Sequence, residues 1–325
     1  MKKTVILSAP YMMAQRERFK RVLEDEYGLD VIIPEVKQKL REEEILKYAG
    51  QFDGILCGDD EFSARVIEAC VPRLKVVSKW GTGIDAIDKA ACARFGVVIG
   101  NTVNAFTVPV AESAIGYMLS FVRGLKAMDV SMRGGVWNKP PISTLSEATV
   151  GIIGVGNCGQ AVARRLRGFG ARILCNDIIE IRPDFMLETR AENVSLETLL
   201  AESDIVTCHV DLNPTSYHLI NAETLKRMKP TAILLNLSRG PVVDEPALIE
   251  ALKAGTIAGA ALDVFETEPL PASSELLTMD NVMLAPHNSN FSPIACERVH
   301  WSTIRNCVAA LGFDTSNIEE LKKKY

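Results

Sequence analysis

The stretch TVGIIGVGNCG, Thr149–Gly159, decides the fold of this chain. It opens with a short apolar run typical of a buried strand and continues into a GxGxxG turn formed by Gly154, Gly156 and Gly159. The residues that follow, QAVARRLRGFG, have the composition of a helix that ends at glycine. In such a turn the first glycine permits the tight bend, the second lets a pyrophosphate approach the backbone, and the third lets the helix pack on the strand. The stretch predicts a dinucleotide-binding unit; the alternative is a structural turn without a ligand.

A second apolar run, RILCN, follows and ends just before Asp177, which lies 18 residues beyond Gly159. An acidic residue about 20 residues after the turn is expected to accept hydrogen bonds from the adenosine ribose. Its charge would also repel a 2′-phosphate, and no arginine follows it directly. The spacing therefore predicts NAD rather than NADP as the cofactor.

Short apolar runs alternate with amphipathic segments on both sides of this turn. Because each run is continuous and rich in Val, Ile and Leu, it is typical of a strand in a parallel sheet covered by helices. The pattern predicts an α/β protein with two doubly wound parallel sheets. The expected strands are Thr4–Ser8, Asp30–Ile33, Gly54–Cys57, Lys75–Ser78 and Val97–Ile99, then Thr149–Gly154, Arg172–Asn176, Asp204–Val210, Ala232–Leu237, Gly259–Phe265 and Val282–Ala285.

Length and composition agree with two globular domains. The chain has 325 residues, of which 47% are hydrophobic and 24% charged, and domains average about 150 residues. The net charge of −5 gives no footprint for nucleic acid or anionic lipid. No apolar run reaches the roughly 18 residues that a membrane-spanning helix needs. The eight cysteines form no CxxC pair and the four histidines no HExxH pattern, so we expect neither metal nor disulfides, and reduced thiols in the cytoplasm.

Polar residues with catalytic chemistry follow three of the strands expected in the second half. Arg239 lies in NLSRG, Glu268 follows Asp263 in LDVFETEP, and His287 lies in APHNS. Ligands of parallel sheets bind outside the carboxyl ends of the strands. The guanidinium fork of Arg239 suits a substrate carboxylate, and an imidazole with a carboxylate suits acid–base chemistry. Each residue alone is more often structural, and their shared location is what favours a site.

These segments resemble the D-isomer-specific 2-hydroxyacid dehydrogenase family, in its phosphoglycerate-dehydrogenase-like branch. The resemblance spans nearly the whole chain and implies a Rossmann nucleotide domain inserted into a flavodoxin-like substrate domain. The implied boundaries are residues 1–100 for the first part of the substrate domain, 101–288 for the NAD-binding domain, and 289–325 for a C-terminal return helix. The matching segments are GTGIDAID at Gly81–Asp88, NTVNAFTVPVAE at Asn101–Glu112, GVGNCGQ, NLSRGPVVDEPAL, AGAALDVFETEP and APHNS.

The resemblance also implies an activity, the hydride transfer that interconverts a 2-hydroxy acid and its 2-oxo acid. It implies that Arg239 orients the substrate carboxylate, that His287 is the general acid–base paired with Glu268, and that the N–H groups of Thr82 and Gly83 hold the carboxylate. The expected NAD contacts are Thr107, Gly154, Gly156, Asn157, Cys158, Gly159, Asp177, His209, Val210, Leu237, Ser238, Arg239, Asp263, beside the nicotinamide carboxamide, and His287.

Some positions depart from the family pattern and leave the substrate open. Lys79 stands where arginine is common and Trp80 where a small residue is common; Lys79 would suit a second anionic group of the substrate. Oxidation of 3-phosphoglycerate and a non-catalytic, corepressor-like NAD-binding role are the alternatives. By resemblance we expect a homodimer through the nucleotide domain, with the helix expected at Val108–Arg133 and the arm after it as interface candidates.

Overall fold

The computed structural model describes residues 2–325 and divides the chain into two compact units. Unit 1 joins the chain up to Phe106 with Ser292–Tyr325, and unit 2 is Thr107–Phe291. Asn101–Phe106, which the sequence assigns to the nucleotide domain, lies in unit 1, because the Thr102 N–H donates to the Gly81 carbonyl at 2.8 Å. The segment from Ser289 to Phe291 lies in unit 2, since the Ser289 N–H donates to the Asp263 carboxylate at 2.9 Å.

The strands and helices follow in alternation. The strands are β1 Thr4–Leu7, β2 Asp30–Ile32, β3 Gly54–Cys57, β4 Val76–Lys79, β5 Val98–Gly100, β6 Thr149–Ile153, β7 Arg172–Asn176, β8 Glu192–Asn193, β9 Ile205–Cys208, β10 Ile233–Asn236, β11 Gly259–Leu262 and β12 Val282–Leu284. The helices are α1 Pro10–Met13, α2 Arg16–Arg21, α3 Glu42–Leu46, α4 Ala64–Cys70, α5 Lys89–Phe95, α6 Thr107–Val122, α7 Leu125–Arg133, α8 Asn157–Phe169, α9 Pro183–Thr189, α10 Leu196–Glu202, α11 Ala222–Leu225, α12 Glu245–Lys253, α13 Pro293–Ala310 and α14 Ile318–Lys324.

Unit 1 is built on a parallel sheet with the order β2-β1-β3-β4-β5. All four residues of β1 and of β3 are buried, as expected for strands covered on both faces. The helix α13 returns from the end of the chain and buries Val299, Ile304 and Cys307 in the core of this unit. Its Thr303 carbonyl accepts a 2.8 Å hydrogen bond from the Ser78 hydroxyl of β4. The strand order is that of a flavodoxin-like domain.

Unit 2 is built on a second parallel sheet, with the order β12-β11-β10-β9-β6-β7-β8. The strand order reverses between β6 and β9, which pair directly. Such a reversal opens a crevice at the carboxyl ends of the strands, where nucleotide ligands of Rossmann folds bind. The predicted α/β class with two doubly wound parallel sheets is therefore confirmed.

The helix predicted over Val108–Arg133 is two helices. Gly124 takes a left-handed conformation, with φ of 57°, between α6 and α7, and this breaks the helix. The second of these helices, α7, contains no buried residue. Within residues 2–325, no helix combines the length and the apolar character that crossing a lipid bilayer requires.

Candidate active site

The glycine turn after β6 is shaped by close backbone packing. Gly154 has a φ of 89°, and its N–H donates to the Asn176 carbonyl of the neighbouring strand at 2.9 Å. A Cβ on Gly159 would lie 2.1 Å from the Gly154 carbonyl oxygen, so only glycine lets α8 approach the turn. A Cβ on Gly156 would meet nothing within 4 Å. The turn is thus packed at its base and open at its middle glycine.

The start of α8 suits an anion. Gly156 is the N-cap and supplies no side-chain cap, so the first N–H groups of the helix are not capped by it. Backbone N–H groups and the helix dipole favour phosphate at such an end. Asn157 is exposed there, and the Cys158 thiol forms a hydrogen bond with the Thr107 side chain. Burial raises the pKa of the Cys158 thiol, which favours its neutral form.

Asp177 is fixed beside the turn. Its carboxylate accepts hydrogen bonds from the Val155 N–H at 2.6 Å and from the Ile179 N–H at 3.0 Å. The side chain at the end of the second strand is therefore tied to the residue between the first two glycines. A carboxylate has about four acceptor positions, so it retains capacity for ribose hydroxyls.

His209 and Val210 border the same turn from the end of β9. A Cβ on Gly154 would lie 2.7 Å from the His209 carbonyl carbon and 2.8 Å from Val210 Cγ1. His209 Nε2 lies 2.9 Å from Thr207 Oγ1, while its shielded Nδ1 has no partner among residues 2–325. Burial lowers the pKa of His209 to about 4, so the ring is neutral near pH 7. Four features together fit a binding site for a dinucleotide: the open turn, the helix start without a side-chain cap, the anchored Asp177 and the unpartnered Nδ1 of His209.

Arg239 is positioned by Asn236, which sequence reasoning missed. Asn236 is buried at the end of β10, and its side-chain oxygen accepts from the N–H and the hydroxyl of Ser238 at 3.1 and 2.7 Å. Its amide donates to the Arg239 carbonyl at 2.9 Å. Arg239 Nη1 donates to the Ser238 carbonyl at 3.0 Å, and Leu237 is buried beneath this loop. A polar residue that closes an apolar strand was the available signal.

Asp263 organises the turn that carries His287. Its side chain is buried at the end of β11 and accepts from the N–H groups of Asn288 and Ser289 at 2.8 and 2.9 Å. Its carbonyl accepts the His287 N–H at 2.8 Å. A charge buried in an apolar strand was expected to have a partner, and the partners are these backbone groups. His287 itself has a φ of 52°, so the turn holds it in a conformation that non-glycine residues rarely adopt.

Glu268 and His287 form a hydrogen-bonded pair. His287 Nδ1 lies 2.8 Å from Glu268 Oε2, and Glu268 Oε1 accepts the Phe265 N–H at 3.1 Å. The two side chains are 24% and 23% exposed. An ionised carboxylate only accepts hydrogen bonds, so the Nδ1–H donates to Glu268. A histidine that is oriented by a carboxylate at Nδ1 can act as a general acid–base through Nε2.

The residues expected to bind substrate in unit 1 follow β4. Lys79 is buried, and its Nζ lies 3.1 Å from Asp59 Oδ1 and donates to the Trp80 carbonyl at 2.8 Å. The Thr82 hydroxyl donates to the Thr102 carbonyl at 2.8 Å, and the Thr82 carbonyl accepts from Asn101 at 2.7 Å. Thr82 is exposed and Gly83 half-buried. Within residues 2–325, no group of three or more Cys, His, Asp or Glu side chains could hold a metal ion.

Comparisons with known proteins identify the family. Residues 115–289 match the model of the D-isomer specific 2-hydroxyacid dehydrogenase, NAD binding domain. A glyoxylate reductase of Thermofilum pendens is 42% identical over 293 residues, which cover 87% of this chain and 85% of that one. A glyoxylate reductase of Korarchaeum cryptofilum is 43% identical over 256 residues, covering 77% and 76%. The D-lactate dehydrogenase of Aquifex aeolicus, complexed with NAD and lactic acid, superposes with a TM-score of 0.83 at 26% identity and covers 99% and 98%.

The chain belongs to the D-isomer specific 2-hydroxyacid dehydrogenase family. It is an NAD-dependent oxidoreductase that acts on 2-hydroxy acids, and its cofactor domain is the Rossmann unit around the turn at Gly154. The resemblance at the level of the family, the enzyme class and the cofactor is therefore confirmed.

Proposed function

We propose that this enzyme reduces a small 2-oxo acid to the D-2-hydroxy acid with NADH, and that glyoxylate is the first substrate to test. The observation that carries the proposal is the 2.8 Å pair between His287 and Glu268, at the same edge of the sheet as the Arg239 loop. The glyoxylate reductases that match this chain support the choice of a small acid.

The residues of unit 2 would divide the chemistry among them. The residues around the Gly154 turn would hold NADH, which when bound would supply a hydride for C2 of the oxo acid. His287, protonated on both nitrogens, gives the Nε2 proton to the oxygen on which negative charge develops. Glu268 holds the ring orientation and stabilises the imidazolium. Arg239 attracts and orients the substrate carboxylate, while Asp263 keeps the His287 turn in place through its backbone contacts.

Substrate contacts from unit 1 are part of the same proposal. The N–H groups of Thr82 and Gly83 would bind the carboxylate. Lys79 would meet a second anionic group, such as the phosphate of a three-carbon acid, and that group would compete with Asp59 for the ammonium. No contact around Lys79 favours a phosphorylated substrate over glyoxylate, so 3-phosphoglycerate oxidation is tested as the alternative.

The decisive experiment compares the wild type with His287→Ala. We expect kcat for glyoxylate reduction to fall roughly 10²–10⁴-fold, the usual contribution of a general acid–base, with NADH binding retained in a fluorescence titration. Glu268→Gln should lose less than His287→Ala, because the histidine remains. Near-full kcat in His287→Ala would overturn the assignment of the proton donor. A panel of glyoxylate, hydroxypyruvate and 3-phosphohydroxypyruvate ranks the substrates, and turnover of none would favour the non-catalytic alternative.

We further propose a homodimer of a cytoplasmic protein. Helix α7 and the arm after it expose large apolar side chains, with Val130 in the helix 63% accessible and Val136 and Trp137 in the arm 56% and 76% accessible. Contiguous exposed apolar surface marks protein interfaces, which supports association through this part of unit 2. All eight cysteines are free thiols, which suits a reducing compartment. Light scattering on wild type and Trp137→Lys tests the association: a wild-type monomer would contradict it.

A further inference from the structure

A second histidine–carboxylate pair lies in unit 2. His218 Nε2 is 2.6 Å from Glu266 Oε1, and the two side chains are 30% and 29% exposed. The Tyr217 ring stacks on the imidazole, with ring centroids 4.1 Å apart and planes 16° from parallel. His218 has a φ of 49°. A non-glycine residue in this left-handed region is strained and persists only where its surroundings hold it there.

His218 is tied to two different loops. Its ring binds Glu266, which stands two residues before Glu268. Its backbone N–H donates at 2.8 Å to the carbonyl of Pro241, which stands two residues after Arg239. One residue therefore contacts both the loop that follows β11 and the loop that follows β10, each next to a member of the candidate site.

The two loops are themselves in backbone contact. A Cβ on Gly240 would lie 1.9 Å from the Phe265 carbonyl oxygen and 2.5 Å from the Glu266 nitrogen, so any side chain there would force the loops apart. Glu266 is also held by α12: its N–H donates to the Glu245 carboxylate at 3.2 Å, and its own carboxylate accepts the Glu245 N–H at 3.4 Å. The loops at Arg239 and Glu268 are thus in contact with each other, and His218 forms a hydrogen bond to each of them.

We propose that His218 is a positioning residue for the reaction: it holds the Arg239 loop and the Glu268 loop at a fixed spacing, so that the carboxylate-binding arginine and the partner of His287 serve the same substrate. The inference rests on the proposed function of Arg239, Glu268 and His287. His218 acts through Pro241 and Glu266. Because reacting groups must be held closely, a shift of about 1 Å in such a loop lowers turnover by up to roughly 10²-fold.

The test uses the full-length enzyme with His218→Asn. Asparagine tolerates the left-handed backbone better than most residues but is too short to replace the bond to Glu266. We expect kcat/KM for glyoxylate to fall about 10- to 100-fold, through both a lower kcat and a higher KM, while the Kd of NADH stays within about twofold. Glu266→Ala should reproduce the loss, and Glu266→Gln, which keeps a hydrogen-bonding group, should recover most of it. The double variant His218→Asn with Glu266→Ala should be no worse than either single variant, as expected for one shared interaction.

Arg190→Asn is the matched control, since Arg190 also has a positive φ, of 58°, but lies at the end of α9. A kcat/KM unchanged within about twofold in both His218→Asn and Glu266→Ala would overturn the inference. So would a loss confined to Tm, because a purely structural role lowers the folded fraction without moving the KM of what remains folded. His287→Ala is measured beside them: if it retains kcat, the proposed function fails; if it loses kcat while His218→Asn does not, this inference alone fails.

Discussion

The carboxyl edges of the two parallel sheets differ in what their polar groups do. In unit 1 some of these groups bond to other groups of the protein: the Asp60 carboxylate accepts from the Ser8 hydroxyl at 2.5 Å and from the Leu40 N–H at 2.9 Å, and Lys79 pairs with Asp59. In unit 2 the corresponding edge carries an open glycine turn and an oriented histidine.

The difference teaches that the architecture alone does not assign the chemistry. Both sheets place strand ends, helix starts and polar side chains at one edge. At the unit 1 edge, burial and mutual hydrogen bonds turn Asp60 into a structural group. At the unit 2 edge, Asp263 and Asn236 instead bond to the backbone beside His287 and of Arg239, and so fix the turn and the loop that carry these two residues.

Adding a side chain at Gly159, where the turn of unit 2 is tightly packed, should have the largest effect on stability and NADH binding. Gly159→Ala places a Cβ against the Gly154 carbonyl. We expect the free energy of unfolding to fall by about 3 kcal/mol, the upper end of the usual cost of overpacking. NADH binding should be lost as well. The free energy of unfolding of Gly156→Ala should stay within about 0.5 kcal/mol of wild type, because a Cβ there meets nothing within 4 Å. NADH should bind more weakly, because the added methyl would occupy the space in which the pyrophosphate approaches the backbone. Urea unfolding and NADH titration measure both. Equal stabilities of the two variants would contradict the packing argument.

The buried carboxyl of unit 1 should make stability depend on pH. Burial is the main cause that raises the pKa of Asp60 from 3.8 to about 6. The folded state therefore binds this proton more tightly than the unfolded state. The resulting stabilisation is complete below pH 3.8 and is lost as pH rises through about 6, and it amounts to at most about 3 kcal/mol at 1.36 kcal/mol per pKa unit.

Asp60→Asn, which keeps an acceptor for Leu40, should remove this component of the pH dependence. Trp80 and Trp301 lie in unit 1, so their fluorescence in a Trp137→Phe background reports urea unfolding of that unit. The quantity to compare is the change in unfolding free energy between pH 4.5 and 7.5. The same change in the parent and in Asp60→Asn would show that the carboxyl is not responsible.

Asp177 should set the cofactor preference by a smaller margin. Its charge repels a 2′-phosphate and its free acceptor positions suit ribose hydroxyls, so we expect kcat/KM to favour NADH over NADPH by roughly tenfold to a few hundredfold, or about 1–3 kcal/mol. Asp177→Ala should reduce this ratio, although it also removes the contacts to Val155 and Ile179. Asp177→Asn, which keeps an acceptor without the charge, separates the two effects. Equal use of both cofactors by the wild type would defeat the prediction.

Lys79 should show the smallest effect. Lys79→Ala is expected to raise KM for a doubly charged oxo acid such as 3-phosphohydroxypyruvate more than for glyoxylate, by severalfold at about 1 kcal/mol. Asp59→Asn serves as the control, because it releases the ammonium from its partner without removing it. Equal changes for both substrates in Lys79→Ala would exclude Lys79 from the site.

Local patterns predicted the parts of this molecule that local chemistry determines. The glycine spacing and the distance to Asp177 predicted the nucleotide turn. The continuous apolar runs predicted both sheets. The hydrogen-bond partners of buried polar groups could not be predicted from the sequence, because they depend on which strand ends become neighbours in the fold. The bonds from Asn288 and Ser289 to Asp263, and the bond from His218 to Glu266, join residues 25, 26 and 48 positions apart. The break at Gly124 had a local signal, a glycine within a helical pattern.

The return of α13 to the first sheet has a consequence for synthesis on the ribosome. Unit 2 is one continuous segment, Thr107–Phe291, whereas unit 1 needs Ser292–Tyr325 to complete its core. At a translation rate of about 5–20 residues per second, the N-terminal sheet waits roughly 10–40 s for the helix that covers it. The nascent N-terminal strands therefore emerge first but finish last, with Val5, Leu56 and Val76 still lacking their α13 neighbours. We expect this segment to be the stretch of the newborn chain that molecular chaperones must shield.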